Sequence, residues 1–345
     1  MGHLDEGIDD PEGSAWLTDD RSSLHLSLAH REQLDSADER MIELLNVDGR
    51  LSNREIASEI DLTEVTVAAR IRSLIEKRVL GISAVFDWRA AGYLVDMWLT
   101  IRVGGAPVRE VAREIADLAR VHSVHIVFGE TDIIVHAVMA DNAAAATFLA
   151  HDLRPIPGID SINPMMALRT AKYNVNFARM PIVRTEFSFP DPVIEMDDVD
   201  RNILAAIALD GRRSNRDIAR ELEVSDSTVR LRIRRLEQAG LLRISAQIDP
   251  YLTGKVDAWA YVRLEICGDQ SKVVELLVNT PEVGVVAEVS DRYQLLILVI
   301  AKSRPKLIDF VVNHLRSIPG VRSTHTCEII HTQKLDYHWG RLNSS

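Results

Sequence analysis

Apolar residues recur three and four positions apart in three short segments between residues 34 and 76, which predicts three helices rather than strands. In the third segment Val67, Ile71 and Leu74 fall at i, i+4 and i+7, the spacing of one buried helix face. A strand-like run follows near residue 80. This order predicts a small helical head that ends in a strand.

The residues between these segments have side chains that commonly start helices. Ser52 is a suitable N-cap for the second helix, and Glu55, three positions later, completes a capping box. Thr63 is a suitable N-cap for the third helix. Only the turn from Asp61 to Thr63 separates the two helices. A helix, a tight turn and a second helix are typical of a helix-turn-helix.

After residue 94 alternating and helical segments mix, which predicts a second kind of domain. The predicted strands cover 95–103, 122–129, 132–139 and 159–169, and the predicted helices cover 107–119 and 141–154. The order strand, helix, strand, strand, helix, strand is that of a ferredoxin-like domain.

The whole pattern occurs a second time along the chain. Residues 48–87 and 210–249 have 20 identities in 40 positions without a gap, at a constant offset of 162. The runs VDMW at 95–98 and VDAW at 256–259 extend the match into the second domain. The second set of predicted elements lies at 256–266, 270–279, 283–289, 293–301, 303–317 and 321–332. We therefore predict an α+β protein with two copies of a helix-turn-helix plus a ferredoxin-like βαββαβ domain.

Two further segments complete this organisation. Residues 1–33 are polar and acidic, so we expect a mobile N-terminal arm. Residues 175–195 contain three prolines and are predicted to be a linker between the copies. The predicted domains are helix-turn-helix domains at 34–88 and 196–250 and ferredoxin-like domains at 93–174 and 255–340.

Composition narrows the class of protein. The chain has 345 residues, 46% of them hydrophobic, and a formal net charge of −11, which opposes a broadly basic nucleic-acid coat but allows a local basic face. No stretch reaches the roughly 20 apolar residues of a membrane span. The N-terminus lacks a basic and then apolar segment, so we expect no secretion signal. We expect both cysteines, Cys267 and Cys327, to be buried in a cytoplasmic, reduced protein.

The third helix of each head carries the candidate chemistry. In the second copy four arginines interleave with the buried stripe, as in a recognition helix that enters a DNA major groove. Arginine supplies both phosphate contacts and bidentate contacts to guanine. The alternative is a charged helix face that contacts only solvent. The candidate DNA-contacting residues are Thr63, Val65, Thr66, Ala68, Ala69, Arg70, Arg72 and Ser73 in the first copy and Ser225, Ser227, Thr228, Arg230, Leu231, Arg232, Arg234 and Arg235 in the second.

The two candidate recognition helices differ in charge. The first copy has Ala68 where the second has Arg230, and it has fewer arginines overall. Fewer phosphate contacts give weaker binding and a shallower dependence on salt. We predict that the second head dominates the affinity for DNA. Losing Arg230 and Arg234 should then weaken binding more than losing Arg70 and Arg72.

The runs SNREIA and RIRSL in the first copy and RIRRL in the second, each followed by the ferredoxin-like pattern, resemble the Lrp/AsnC family of feast/famine regulators. The resemblance covers about residues 34–175 and 196–340, whereas family members usually have one such unit. It implies winged helix-turn-helix domains that bind operator DNA, and effector and assembly domains that bind amino acids or related metabolites. It also implies that the two copies pair as a pseudo-dimer and that chains form a homo-oligomer, a dimer or tetramer.

In that family the turn between the second and third strands of the effector domain reads Gly-x-x-Asp and borders the ligand site. The first copy matches this pattern, and its Asp132 could accept an amino group. The alternative is an ordinary hairpin turn, because Gly and Asp are common there. The candidate effector-binding residues are Gly129, Glu130, Thr131 and Asp132 in the first copy and Ser290, Asp291, Arg292 and Tyr293 in the second.

Four histidines in the first copy are the feature that favours an alternative function, an enzyme. His122, His125 and His136 fall on adjacent predicted strands and His151 on the next helix. Because His122 and His125 are three apart and point to opposite strand faces, we expect surface or hydrogen-bonded histidines and no metal site. Tandem Lrp-like chains include sirohaem decarboxylases, which gives a tetrapyrrole decarboxylase as the alternative. We nevertheless expect a regulator that is not an enzyme, needs no cofactor, and has double-stranded DNA and a small-molecule effector as partners.

Overall fold

The computed structural model describes residues 33–77, 79–173, 194–248, 256–336, 338–340 and 342. The predicted N-terminal arm, except for residue 33, and nearly all of the predicted linker lie outside the described residues. The first head contains α1 (Ser36–Val47), α2 (Asn53–Ile60), α3 (Glu64–Glu76) and β1 (Leu80–Asp87). The second head contains α6 (Asp198–Leu209), α7 (Asn215–Glu221), α8 (Asp226–Gln238) and β6 (Leu242–Ile248). Three helices and a strand therefore form in both copies, as the hydrophobic pattern predicted.

The tight turns of both heads use the same backbone conformation. Ser52 and Glu55 form the predicted capping box at the start of α2. Asp61 after α2 and its repeat-equivalent Glu223 after α7 both have a φ of 55°, in the left-handed region that non-glycine residues rarely adopt. One left-handed residue is what turns the chain sharply enough for α3 and α8 to start at once.

Each ferredoxin-like domain has the predicted order of elements. The first contains β2 (Val95–Val103), α4 (Val108–Ala116), β3 (Val121–Phe128), β4 (Ile133–Met139), α5 (Asn142–Thr147) and β5 (Ile159–Tyr173). The second contains β7 (Ala258–Ile266), α9 (Gln270–Val278), β8 (Val283–Val289), β9 (Leu295–Ala301), α10 (Arg304–Asp309) and β10 (Val321–Leu335), and β11 (Trp339–Gly340) follows it.

The two four-stranded sheets close into one barrel with the strand order β10-β3-β4-β2-β5-β8-β9-β7. The last strand of each domain makes the closure, because β5 pairs with β2 and also with β8, and β10 pairs with β7 and also with β3. The two copies therefore pair within the chain, as the resemblance implied. Helices α4, α5, α9 and α10 cover the outside of the barrel through two separate apolar clusters.

Several predicted boundaries are wrong, and one of them, the end of β5, depends on the other copy. The strand predicted at 159–169 continues to Tyr173 because its far half pairs with β8. The helix predicted at 141–154 is α5 followed by a π-helical turn, Phe148–Leu153. The strand predicted to begin at 256 begins at Ala258. Pairing with a strand more than 100 residues away leaves no local signal in the sequence.

The apparent match between VDMW and VDAW is not a structural equivalence. Val95 pairs with Met139, and Ala258 pairs with Ala301. Met139 and Ala301 are 162 residues apart, as the repeat predicts, but Val95 and Ala258 are 163 apart. The second copy therefore has one extra residue before β7, and Trp259 lies where the first copy has Asp96.

The two heads also join each other. Strands β1 and β6 pair in antiparallel register, and β11 adds to β1 in parallel. Helix α1 packs against β6 and α6 packs against β1, so each head covers the wing strand of the other. One apolar cluster runs from both heads through these strands into the interior of the barrel.

Candidate nucleic-acid interface and ligand site

The recognition helices are oriented by capped N-termini and by three buried residues each. The hydroxyl of Thr63 accepts from the Thr66 amide at 3.1 Å, and the Ser225 hydroxyl accepts from the Thr228 amide at 3.0 Å. The buried residues are Val67, Ile71 and Leu74 in α3 and Val229, Ile233 and Leu236 in α8. These are the residues that the sequence placed on the inner face, so the remaining positions lie on the flanks and the outer face.

Three of the candidate DNA-contacting arginines form ion pairs with carboxylates at the start of the first helix of their own head. Arg70 donates to Asp35 at 2.7 Å and to Asp38 at 2.8 Å, at the start of α1. Its repeat-equivalent Arg232 pairs with Asp197 at 2.8 Å and with Asp200 at 3.0 Å, at the start of α6. In both heads, therefore, one arginine ties the recognition helix to the first helix.

The second head has one further contact of this kind. Arg235 pairs with the Asp200 carboxylate at 2.5 Å and donates to the Glu195 carbonyl at 3.2 Å. Asp200 is completely buried, whereas the side chain of its equivalent Asp38 is 14% exposed. Asp200 thus accepts from two guanidinium groups where Asp38 accepts from one.

Other candidate residues remain at the surface. Val65 and Leu231 are exposed by 79% and 67%. Arg230 lies on the surface with a 2.5 Å contact to Asp226 one turn earlier on the same helix. Arg72 and Arg234 are exposed, and neither makes an ion pair with any residue that the structure describes. Among the arginines of the two recognition helices, Arg72, Arg230 and Arg234 are therefore the ones that are exposed and not paired with the first helix of their head.

The two candidate effector turns meet each other in the barrel. Glu130 in the β3–β4 turn and Arg292 in the β8–β9 turn are repeat-equivalent, and their side chains lie 3.6 Å apart. Arg263 of β7 pairs with Glu130 at 2.6 Å and approaches Asp291 to 4.0 Å. The turns form one shared cluster at the pseudo-two-fold axis rather than two separate sites.

Aromatic rings complete this charged cluster. The guanidinium carbons of Arg263 and Arg292 lie 4.8 Å and 4.6 Å from the centroid of the Tyr293 ring, a cation–π geometry. His325 stacks obliquely on the same ring at 4.6 Å and contacts Glu130 at 3.0 Å. Burial opposes the charge of Glu130, but Arg263 and His325 outweigh it and lower the pKa of that carboxyl. Glu130 therefore stays ionised among cations.

Two candidate effector residues, Thr131 and Asp132, make hydrogen bonds to the protein backbone outside the shared cluster. The Asp132 carboxylate accepts from the Val103 amide at 2.9 Å, and the Gln294 side chain accepts from the Ile266 amide at 2.8 Å. Gln294, not Tyr293, thus takes the place of Asp132 in the second copy. Thr131 is buried and donates to the Ile101 carbonyl at 2.6 Å. Glu130, Asp291 and Arg292 are the members of the set with charged groups in the shared cluster.

Of the two expected environments, surface or hydrogen-bonded, the three histidines on strands are not at the surface, and His125 and His136 are hydrogen-bonded. His122, His125 and His136 are all buried, and only His151 on the helical turn is exposed among these four. His136 contacts the Asp96 carboxylate at 2.8 Å, and the Thr170 hydroxyl donates to the same carboxylate at 2.7 Å. The strands curve into a closed barrel, so residues on their inner faces are enclosed whether they are polar or apolar.

The aromatic surroundings of these histidines differ between the copies. Trp98 stacks on His136 with 4.1 Å between ring centroids, and Trp88 contacts both His122 and His136 edge-on. The repeat-equivalent of His136 is Leu298. Burial, and then the positive charge of neighbouring His136 and Lys334, holds the pKa of His122 well below its usual value. Among the described residues, no group of three His, Cys, Asp or Glu side chains is arranged to hold a metal ion.

The two cysteines have different environments. Cys327 on β10 is buried as expected, and burial raises the pKa of its thiol. The same expectation is wrong for Cys267, which is exposed because β7 ends at Ile266 and the chain leaves the sheet there. None of the helices that the structure describes is both long and apolar enough to cross a membrane.

The fold and these surfaces define a tandem protein with two winged helix-turn-helix heads and two α+β domains. Four family models match it in order: an AsnC-type helix-turn-helix domain at 34–75, the Lrp/AsnC ligand binding domain at 97–177, a winged helix-turn-helix DNA-binding domain at 196–243 and a C-terminal dimeric alpha+beta barrel domain at 262–342. The chain belongs to the Lrp/AsnC family of DNA-binding regulators and carries two of its units.

Named relatives agree with this assignment, and one solved structure shares the fold. An uncharacterised helix-turn-helix transcriptional regulator of Pyrococcus horikoshii is 33% identical over 146 residues, which cover 42% of this chain and 92% of the relative. The transcriptional regulator Ptr1 of Methanocaldococcus jannaschii is 28% identical over 43% of this chain and 99% of its own length. A crystal structure of the siroheme decarboxylase NirDL matches 87% of this chain and 93% of that chain, with a TM-score of 0.61 and 14% identity. At that identity the likeness shows the tandem fold alone.

Proposed function

We propose that the two heads bind double-stranded DNA as one unit, with α3 and α8 in the major groove and α8 supplying most of the affinity. The observation that carries this proposal is the exposed pair Arg230 and Arg234, which no buried carboxylate holds. Half-sites would lie about one helical turn apart, roughly 34 Å, as for other paired helix-turn-helix heads. Because the heads differ, the operator would be asymmetric.

The candidate DNA-contacting residues then divide into two roles. Those on the accessible side of each recognition helix would contact DNA: Thr63, Val65, Thr66, Ala68, Ala69, Arg72 and Ser73 in the first head and Ser225, Ser227, Thr228, Arg230, Leu231 and Arg234 in the second. Arg70, Arg232 and Arg235 would instead hold the recognition helices against α1 and α6, since their guanidinium groups are already bound to aspartates.

Selection from a random DNA library with the purified chain tests the DNA-binding proposal. We expect one enriched, asymmetric motif, and we expect the Arg230→Ala/Arg234→Ala variant to lose it. The Arg322→Ala variant is a matched control, because Arg322 is also an exposed arginine but lies on β10, paired with Glu265 and outside both heads. No enrichment by the wild-type chain at moderate salt would overturn the proposal.

We further propose that the shared cluster around Glu130 and Arg292 binds a small zwitterion, an amino acid or a related metabolite. Glu130 would attract the ammonium group, and Arg263 and Arg292 would bind the carboxylate, which suits a planar fork of donors. The ligand would compete with the contact between the two turns. Binding would thus shift the population of two arrangements of the barrel and change the affinity of the heads for DNA.

Thermal unfolding with each proteinogenic amino acid tests this ligand site. A ligand that binds only the folded chain increases the free energy of unfolding, by about 2.7 kcal/mol at a hundredfold excess over Kd. The melting temperature therefore rises with the ligand concentration. We expect at least one amino acid to do so and the Arg292→Ala variant to lose the effect. An equal loss of stabilisation in the Arg322→Ala variant would show that the ligand does not bind at the shared cluster.

A second candidate is an enzyme that acts on a tetrapyrrole. The observation that favours it is the enclosed group of His136, Asp96 and Thr170 with Trp98 against the imidazole, which the second copy replaces with residues such as Leu298. Titration with an iron uroporphyrin, followed by absorption spectroscopy, decides the matter. A spectral shift that His136→Leu abolishes would favour the enzyme, and an unchanged spectrum would remove it.

Assembly of several chains also remains a prediction. Phe128 and Leu168, on β3 and β5, are exposed by 63% and 71% and offer apolar area to a second chain. We expect chains to associate as a dimer or tetramer. Light scattering coupled to size-exclusion chromatography would show a mass of one chain if this expectation is wrong.

A further inference from the structure

The contact between the heads repeats itself around the pseudo-two-fold axis. The Gly49 amide donates to the Ile244 carbonyl at 2.8 Å, and its repeat-equivalent, the Gly211 amide, donates to the Ile82 carbonyl at 2.9 Å. Both bonds run from the end of the first helix of one head to the wing strand of the other. The backbones of the two heads are therefore hydrogen-bonded to each other at two symmetric points.

These glycines are required for space rather than for a special backbone conformation. A Cβ atom at Gly49 would lie 2.9 Å from Ile82 Cγ2 and 3.0 Å from the Ile244 backbone. A Cβ atom at Gly211 would lie 2.8 Å from Ile244 Cγ2 and 2.9 Å from the Ser83 Cα atom. Real Cβ atoms rarely approach other atoms so closely, so a side chain at either glycine would crowd the contact between the heads.

The arginine that follows each glycine crosses to the other head. Arg50 donates to the Gly211 carbonyl at 2.9 Å, the Arg213 carbonyl at 2.9 Å and the Asn215 side chain at 2.6 Å. Arg212 donates to the Leu51 carbonyl at 2.8 Å and to the Asn53 side chain at 3.0 Å.

These acceptors hold Arg50 and Arg212 at the contact between the two heads, which is called the junction below. Burial lowers the pKa of both Arg50 and Arg212, so each charge depends on the acceptors around it. A planar fork of five donors can satisfy several acceptors in fixed directions, which the flexible ammonium group of a lysine cannot do.

Each arginine binds the first residue of the helix that supports a recognition helix. Asn53 begins α2, which packs against α3, and Asn215 begins α7, which packs against α8. A shift at either arginine would therefore move a recognition helix relative to the other head. The sequence marks the positions, since the run Asp-Gly-Arg is identical in both copies, at 48–50 and 210–212.

From this geometry we infer that Arg50 and Arg212 are positioning residues that fix the separation of α3 and α8 and so set the half-site spacing that one chain accepts. The spacing part of this inference rests on the proposed binding of DNA. The fixed separation does not, because it follows from contacts within the protein. An effector would have to move both heads as one body rather than change their spacing.

A distance measurement on the full chain tests the fixed separation without DNA. Spin labels at Val65→Cys and Ser227→Cys, which are repeat-equivalent and exposed, report the separation of α3 and α8, with Cys267→Ser removing the exposed native thiol. We expect one narrow distance distribution, which Arg50→Gln/Arg212→Gln broadens. The exposed arginines of α2 and α7 give the matched control Arg54→Gln/Arg216→Gln, which should leave the distribution narrow.

A second variant distinguishes two causes of broadening, unfolding of the Arg50→Gln/Arg212→Gln variant and a looser contact between the heads. Arg50→Lys/Arg212→Lys retains both charges but not the fork, and we expect it to broaden the distribution as well. A narrow distribution in a folded lysine variant, or equal broadening in the Arg54→Gln/Arg216→Gln control, overturns the inference.

Unlabelled protein then tests the spacing on DNA that carries two half-sites at varied separations. We expect the wild type to prefer one spacing by roughly tenfold over spacings two base pairs longer or shorter, and we expect the lysine variant to reduce that preference to about twofold. Equal spacing preference in both proteins overturns the inference. If the wild type binds no DNA, the proposed function fails, while the distance measurement still decides whether the junction is fixed.

Discussion

At the scale of single residues, repeat-equivalent side chains have unequal surroundings. Asp200 is fully buried and accepts from Arg232 and Arg235, whereas Asp38 is partly exposed and accepts from Arg70. A buried carboxylate that loses its charge leaves its cationic partners uncompensated, which costs more than the loss of an exposed ion pair.

We therefore predict that Asp200→Asn costs about 3 kcal/mol of the free energy of unfolding, and that Asp38→Asn costs about 1 kcal/mol. The two variants are matched because the sites are equivalent in the repeat. Urea unfolding followed by circular dichroism measures both. Equal costs would show that the second arginine and the deeper burial of Asp200 do not matter.

The buried imidazole of His122 should make stability depend on pH. Because its pKa in the folded chain lies well below that of the unfolded chain, only the unfolded chain takes up a proton as pH falls below about 6.5. This contribution to stability is therefore present at neutral pH and is lost on acidification, by at most about 1.4 kcal/mol per pH unit.

His122→Gln should flatten the loss of stability between pH 7 and pH 5, since glutamine takes up no proton in either state. Melting temperatures at several pH values in that range are the measurement. His151→Gln is the control, because His151 is exposed. The same slope in His122→Gln and the wild type would contradict the assignment of His122 as a buried, neutral group.

At the scale of elements, the recognition helices show what local pattern can and cannot predict. Their caps and buried stripes follow from spacing over a few residues and are confirmed in both heads. The ion pair between Arg70 and Asp35 joins residues 35 apart, so nothing near Arg70 in the sequence indicated it. An arginine on a helix can contact either DNA or another helix, and only the fold separates these roles.

The long strands β5 and β10 show the same limit. The strands predicted at 159–169 and 321–332 cover their first halves and part of their second halves. The pairing of the second halves with the other copy, which extends these strands to Tyr173 and Leu335, was not predicted. Similarly, the Gly129 turn was predicted, whereas its contact with Arg263 of β7 was not, because Arg263 lies 133 residues away. The sequence thus indicates elements and turns, and the closure of the barrel decides which of them meet.

The β3–β4 turn should tolerate no side chain at its glycine. Gly129 has a φ of +154°, and a Cβ atom there would lie 2.9 Å from both Cys327 Sγ and the Thr326 carbonyl. We predict that Gly129→Ala costs roughly 2–3 kcal/mol and weakens ligand binding at the shared cluster. Gly268→Ala, with a φ of +109° and no neighbour within 4 Å, should cost only about 1 kcal/mol. Calorimetry on both variants tests this, and equal losses would contradict a role for close contact.

At the scale of the whole molecule, one chain has the arrangement of a dimer but not its symmetry. The barrel, the paired wing strands and the Arg50 and Arg212 contacts all obey a pseudo-two-fold axis. The charges do not, because the exposed cations of α8 outnumber those of α3, and because none of the buried His122, His125 and His136 has a histidine at its repeat-equivalent position. The family resemblance implied the pairing of copies, and the residues that differ between copies carry the functional proposals.

The most direct test of this account is the affinity for the selected operator, measured by fluorescence anisotropy from about 50 mM to about 200 mM salt. Arg234→Ala and its repeat-equivalent Arg72→Ala are compared one to one, together with Arg230→Ala/Arg234→Ala. We predict that Arg234→Ala weakens binding more than Arg72→Ala, and that the double variant lowers the slope of log affinity against log salt by about 2. Equal losses from Arg72→Ala and Arg234→Ala, with an unchanged slope in the double variant, would contradict a regulator whose second head leads.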